Sequence, residues 1–240
     1  MDDPKQYIKL LSDISHRLYS MANATLEQLD GKCTDPEETQ DYYVGLLRRQ
    51  AQLTYDLHTI LVSRPKENLT TPYIILRALL DDFLHVLYLD LSDNPDEEIV
   101  CINAKGHRDN FKSLKNLTDS ENQEYHGQNF GYLSEEAYEE LKIVFKSKPK
   151  NQKYFTDIDN FELKGFKTMA QMALSINSTE NNNIARDRTY FYWKSFSSFV
   201  HYSTWCYDYE TTGDILKLKH MEESLQYVFN TIHFCSCYFR

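Results

Sequence analysis

The chain has 240 residues, 41% of them apolar and 14% aromatic, which excludes a disordered protein and is enough for a packed core without disulfides or metals. Its 7 glycines and 6 prolines are few, which favours helices joined by few turns over a sheet with many tight turns. The formal charge of −10, from 36 acidic and 26 basic residues, excludes the basic surface of a general nucleic-acid binder.

No window of about 18 apolar residues occurs along the chain, so no membrane span is expected. The N-terminal residues 1–5 (MDDPK) lack the charged-then-apolar layout of a signal peptide, and we therefore predict a cytoplasmic protein. The five cysteines form no C-x-x-C pair and are interpreted as free, mostly structural thiols. We expect neither a metal nor a cofactor.

The first half of the chain has the apolar periodicity of helices. Apolar residues recur every three or four positions over 4–30 and 36–64, and the short connection predicts an antiparallel helical hairpin over 1–64. A third helix, over 71–91, is apolar nearly all round, which is typical of a helix in the middle of a bundle. A fourth helix is predicted over 94–117, and its acidic start is interpreted as a helix N-terminus rather than a metal site.

The second half is predicted to add a loop over 119–133, a helix over 134–148, a shorter helix over 162–176, a loop over 177–183, a seventh helix over 184–207 and a last helix to the C-terminus. The seventh helix is rich in aromatic residues and, like the third, is predicted to lie at the centre. Lysines 142, 146, 148, 150 and 153 are interpreted as a solvated charged run, and a phosphate-binding patch is the alternative. The prediction is one all-α domain over 1–240, a bundle of seven to eight helices made of the hairpin and the remaining bundle over 70–239.

Polar side chains on the two most apolar helices form the candidate polar pocket. On the third helix, Arg77, Asp81 and His85 follow at intervals of four residues and line one strip of the helix. On the seventh helix, Lys194, Ser197 and His201 follow at intervals of three and four residues and line another. If the two helices face each other, the strips meet. The candidate residues are Arg77, Asp81, His85, Lys194, Ser197 and His201.

Two interpretations of this pocket are left open. In the first, Arg77 pairs with Asp81 and His201 donates to a neighbouring acceptor, in a buried network that fixes the register of the bundle. In the second, the pocket holds a ligand, with Arg77 binding an anion and His201 titrating near neutral pH. The familiar catalytic motifs, such as the P-loop, G-x-G-x-x-G, H-E-x-x-H and G-x-S-x-G, are absent from the sequence, so catalytic residues stay unknown.

The segments 75–81 (ILRALLD) and 197–203 (SSFVHYS) resemble an uncharacterised bacterial family of all-helical proteins, a domain of unknown function. That family has an R-x-x-x-E motif on an apolar helix and a later S-x-x-V-H-x-S motif. Asp81 stands where the pattern has Glu, which shortens the reach of the carboxylate. Because the family has no settled activity, the resemblance implies a helical fold and site positions, not a reaction.

A more distant resemblance is to the HEPN helical domains, several of which are metal-independent ribonucleases of toxin and defence systems. Their motif is an arginine followed four to six residues later by a histidine, whereas seven residues separate Arg77 from His85. The sequence therefore favours a non-enzymatic cytoplasmic helical module that binds a small anionic ligand or a partner protein. The alternative is a HEPN-like endoribonuclease, and a homodimer through the last helix is left open.

Overall fold

The computed structural model describes residues 3–30, 38–63, 70–124, 134–176, 179–200 and 215–239 of the chain. Helices account for 87% of the structure, which confirms the predicted all-α class. None of the described helices is long and apolar enough to cross a membrane.

The helices are α1 (Pro4–Leu29), α2 (Glu38–Ser63), α3 (Thr70–Asp90), α4 (Pro95–Glu124), α5 (Glu135–Ser147), α6 (Met169–Ser175), α7 (Glu180–Val200) and α8 (Ile215–Tyr238). A 3-10 helix (Pro149–Tyr154) and two short strands, β1 (Phe155–Asp157) and β2 (Glu162–Leu163), follow α5. The chain forms two compact units, Met1–Asp93 with Thr168–Arg240 (unit 1) and Asn94–Lys167 (unit 2). The prediction of one domain over 1–240 stays a prediction.

Helix α3 is the centre of unit 1. It contacts α2, α6, α7 and α8, and 13 of its 21 residues are buried, as its nearly continuous apolar sequence predicts. Leu76, Leu79, Leu80 and Leu84 are completely enclosed. Helices α1 and α2 pack along each other, and α8 contacts α1, α2, α3 and α7.

Helix α7 differs from the prediction that it lies at the centre. Only four of its 21 residues are buried, and Phe191 is 59% exposed. The buried side of α7 faces α3, where Phe196 and Phe199 both stack on Tyr73 with ring centroids 4.9 and 4.8 Å away. Its many aromatic residues are therefore divided between a packed side and an open side, a division that their number alone does not indicate.

Unit 2 is held together by aromatic side chains from α4, α5 and the strands. Phe111 meets Phe145 and Phe161 edge to face, with centroids 5.3 and 5.1 Å apart. The strands β1 and β2 pair antiparallel, with Phe155 opposite Leu163. Phe161, in the turn between them, has a positive φ of 59°.

Three predicted boundaries need correction. Residues 119–124 of the predicted loop continue α4, and 125–133 lie outside the described residues. The predicted helix over 162–176 begins only at Met169, because Thr168 and Gln171 form a capping box that fixes its start, and Glu162–Leu163 is a strand instead. Helix α7 begins at Glu180, inside the predicted loop over 177–183, because the Thr179 hydroxyl caps it by accepting from the backbone N–H of Asn182. The end of the predicted seventh helix, 201–207, lies outside the described residues.

The central position of α3 can be tested with one pair of Leu-to-Ala variants. Leu79→Ala should lower the free energy of unfolding by about 2–5 kcal/mol, because the cavity lies in the enclosed centre of unit 1. Leu174→Ala removes the same atoms from a side chain that is 78% exposed, and should change the free energy of unfolding by less than about 0.5 kcal/mol. Urea denaturation measures both. Equal effects would contradict the central position of α3.

Candidate functional site

The contact between α3 and α7 brings Arg77 against the polar residues of α7. The Arg77 Nε–H donates to Ser197 Oγ over 3.3 Å, and the guanidinium carbon lies 5.2 Å from the centroid of the Trp193 ring. The Ser197 hydroxyl in turn donates to the backbone oxygen of Trp193 at 2.7 Å, which leaves an oxygen lone pair for Arg77. The guanidinium is thus fixed both at Nε and by its stacking on an indole.

Asp81, one turn beyond Arg77, positions the ring on which the guanidinium stacks. Its Oδ1 accepts the Trp193 Nε1–H at 2.9 Å. Between the described side chains of Arg77 and Asp81 there is no ion pair, so the pairing in the network interpretation is not found. Both residues are half-buried. Asp81 therefore orients the indole rather than neutralising the arginine.

The six predicted residues have different positions in the structure. His85 is half-buried on α3, like Arg77 and Asp81, and Ser197 is half-buried on α7. Lys194 is exposed on α7. His201 lies outside the described residues, and its place in the pocket stays a prediction. Of the predicted residues, Arg77 and Ser197 meet across α3 and α7, whereas Asp81 contacts Trp193, which was not among the predicted residues.

A second polar group, which the sequence analysis did not include, lies on the α2 side of α3. Asp82 is only 1% exposed, its Oδ2 accepts from Gln50 Nε2 at 2.7 Å, and its Oδ1 lies 3.4 Å from Arg49 Nη1. Gln50 is completely buried and its Oε1 has no partner among the described residues. A glutamine within the apolar stripe of the second helix was the signal that could have identified this group.

Burial controls the protonation of Asp82. Loss of solvation raises its pKa to about 7, even though the Arg49 charge and the Gln50 hydrogen bond act in the opposite direction; the Asp81 charge raises it further. Burial first, and then the Asp82 charge, also raise the pKa of the Cys235 thiol on α8 to about 12. Cys235 is therefore an inert core thiol at neutral pH rather than a nucleophile.

Asp81, Asp82 and His85 could be considered as metal ligands. One ligand atom from each lies within 4.8 Å of the others. However, Trp193 already donates to Asp81, and Gln50 and Arg49 already contact Asp82, so both carboxylates have partners without a cation. The cluster alone does not identify a metal site.

No family model, no curated protein and no solved structure matches the chain. The resemblances to the bacterial helical family and to the HEPN domains stay predictions. What is known of the site therefore comes from its geometry.

The raised pKa of Asp82 predicts a specific dependence of stability on pH. Because the pKa is about 7 in the folded protein and about 4 in the unfolded chain, folding favours the protonated carboxyl. This stabilisation is fully present below about pH 4 and is lost as the pH rises through about 7. Asp82→Asn stays neutral, so relative to wild type it should gain up to about 4 kcal/mol of unfolding free energy between pH 4 and pH 8.

Urea denaturation of both proteins at intervals across this pH range measures the effect. Parallel pH profiles for wild type and Asp82→Asn would show that burial of Asp82 does not raise its pKa.

Proposed function

We propose that this protein is a non-enzymatic helical module that binds a small anionic ligand at the guanidinium of Arg77. One observation carries the proposal. The Nε–H of Arg77 donates to Ser197, and one face of its guanidinium lies over the Trp193 ring. None of the described residues provides an acceptor for its two Nη groups. A half-buried arginine with fixed orientation and open donors is suited to a carboxylate or phosphate.

The chemistry of arginine supports this ligand class. The guanidinium is planar and always charged, and its paired N–H groups match the oxygens of a carboxylate or phosphate. Stacking on Trp193 and the bond to Ser197 reduce the conformational freedom that the side chain would lose on binding. Asp81, whose Oδ1 accepts from Trp193, supports the indole beneath the guanidinium.

The alternative function is a metal-independent endoribonuclease of the HEPN type. It is supported by the presence of Arg77 and His85 on the same helix, both half-buried and so accessible in part to a substrate. Against it stands the longer separation of these residues along the chain. The acidic composition also disfavours attraction of RNA at long range.

We further propose a cytoplasmic location. Cys101, Cys235 and Cys237 are free thiols, which a reducing compartment maintains. A partner protein and a homodimer through α8, whose Phe229 is 45% exposed, stay proposals beside the small ligand.

A thermal-shift experiment tests anion binding. Wild-type protein with saturating inorganic phosphate, AMP or citrate should show a melting temperature raised by roughly 5–10 °C for at least one of them, as expected for a ligand at about 100 times its dissociation constant. Arg77→Gln should reduce this rise for that anion. Arg17→Gln makes the same charge change at an exposed position of α1 and should retain it.

Two results would contradict the proposal. One is the absence of a shift with all three anions in the wild-type protein. The other is an equal shift in wild type and Arg77→Gln, which would place the binding elsewhere.

A cleavage assay separates the two functions. Wild-type protein incubated with mixed RNA in excess EDTA should leave the RNA intact, because the proposed module has no catalytic group. His85→Ala and His201→Ala are assayed alongside. Metal-independent cleavage that either substitution abolishes would establish the ribonuclease and overturn the non-enzymatic proposal.

A further inference from the structure

Unit 2 contains a groove between α4, α5 and the turn of the two strands. Its volume is about 540 Å³, within the usual range for small-molecule sites. Four cationic side chains line it, Arg108, Lys112, Lys115 and Lys142, against one lining carboxylate, Glu162. This concentration of positive charge contrasts with the acidic composition of the whole chain.

Two of these cations are fixed by carboxylates beside the groove. Lys115 Nζ lies 2.9 Å from both Asp119 and Glu135, and its hydrogen bonds to these two residues raise the pKa of Lys115. Lys142 Nζ lies 3.1 Å from Glu139. These two lysines therefore have fixed positions in the groove wall, and the neighbouring carboxylates largely balance their charges.

The charges of Arg108 and Lys112 are not balanced in this way. They are four residues apart on α4, hence on the same side of that helix, and both are exposed. Neither forms an ion pair with any of the described residues. They supply two adjacent positive charges at a preformed groove, and this arrangement suits a ligand with two or more negative charges.

Aromatic rings form the apolar part of the groove. The Lys142 ammonium lies 5.3 Å from the Tyr138 ring centroid and 5.1 Å from that of Phe161. Phe161 has the left-handed φ of 59°, a backbone conformation that bulky residues rarely adopt. Asp157 holds the turn by accepting from the Asn160 backbone N–H at 3.0 Å and from its side-chain amide at 2.7 Å. The turn thus keeps the Phe161 ring in the wall despite an unfavourable backbone geometry.

We propose that this groove is a binding site for a small phosphorylated ligand. Arg108 and Lys112 bind the phosphate oxygens, the Asn116 amide offers neutral hydrogen-bond donors, and the aromatic rings contact the organic part. The site is independent of the function proposed for Arg77, because it consists only of residues of unit 2.

Isothermal titration calorimetry with pyrophosphate, ADP and adenosine tests the site on the full-length chain. Pyrophosphate and ADP should bind and adenosine should not, because the phosphate supplies the recognition. In the double variant Arg108→Gln/Lys112→Gln, the dissociation constant of ADP should rise by about tenfold or more, since two charge-assisted contacts are lost. Tighter binding of ADP than of pyrophosphate would identify a nucleotide rather than a free phosphate as the preferred source.

The matched control is Lys148→Gln/Lys150→Gln. It makes the same change in net charge at two exposed lysines of unit 2 that do not line the groove, and it should leave the dissociation constant within about twofold. Equal weakening in both double variants would show diffuse electrostatic attraction and overturn the proposal. So would the absence of binding by both phosphorylated probes.

The titrations are repeated with Arg77→Gln to separate the two sites. Binding retained in Arg77→Gln and lost in Arg108→Gln/Lys112→Gln supports the groove, whether or not an anion binds at Arg77. Binding of ADP and pyrophosphate that Arg77→Gln abolishes completely would overturn the groove and leave the Arg77 proposal standing.

Discussion

The burial of α3 is the constraint on which the architecture of unit 1 depends. A helix that is apolar nearly all round can reach a stable environment only when other helices enclose it, and α2, α6, α7 and α8 do so. The charged side chains Arg77, Asp81 and Asp82 of α3 each have a partner on one of these helices, because an unpartnered charged group inside the bundle is costly. The positions of Arg77, Asp81 and Asp82 follow from this requirement.

The polar residues on the two sides of α3 differ in their exposure, and the difference has a functional meaning. On the α2 side, Asp82 is enclosed with Gln50, so that its protonation is coupled to folding and no ligand can reach it. On the α7 side, Arg77 is half-buried and its contacts with Ser197 and Trp193 orient it without neutralising its charge. The first group belongs to the core, whereas the second has the properties of a binding site.

Sequence periodicity was sufficient for the helical class and for placing Arg77 and Asp81 on one face of α3, because residues four apart share a helix face. It left the contact between α3 and α7 as a condition. It missed Asp82, since neighbouring residues on a helix point about 100° apart and Asp82 therefore leaves the strip of Asp81. Lys194 was predicted on the same strip as Ser197, but it is exposed whereas Ser197 is half-buried. The short strands of unit 2 and the start of α6 depend on local turn and capping geometry, which a period over many residues does not detect.

The central claim, that an anion binds at the guanidinium stacked on Trp193, can be tested most directly by the fluorescence of that indole. The chain has two tryptophans, so Trp205→Phe leaves Trp193 as the only one. Titration with inorganic phosphate, AMP and citrate should produce, for at least one of them, a saturable change in Trp193 emission that disappears when Arg77→Gln is added. Emission that stays constant through all three titrations, or that changes equally without Arg77, would contradict the account.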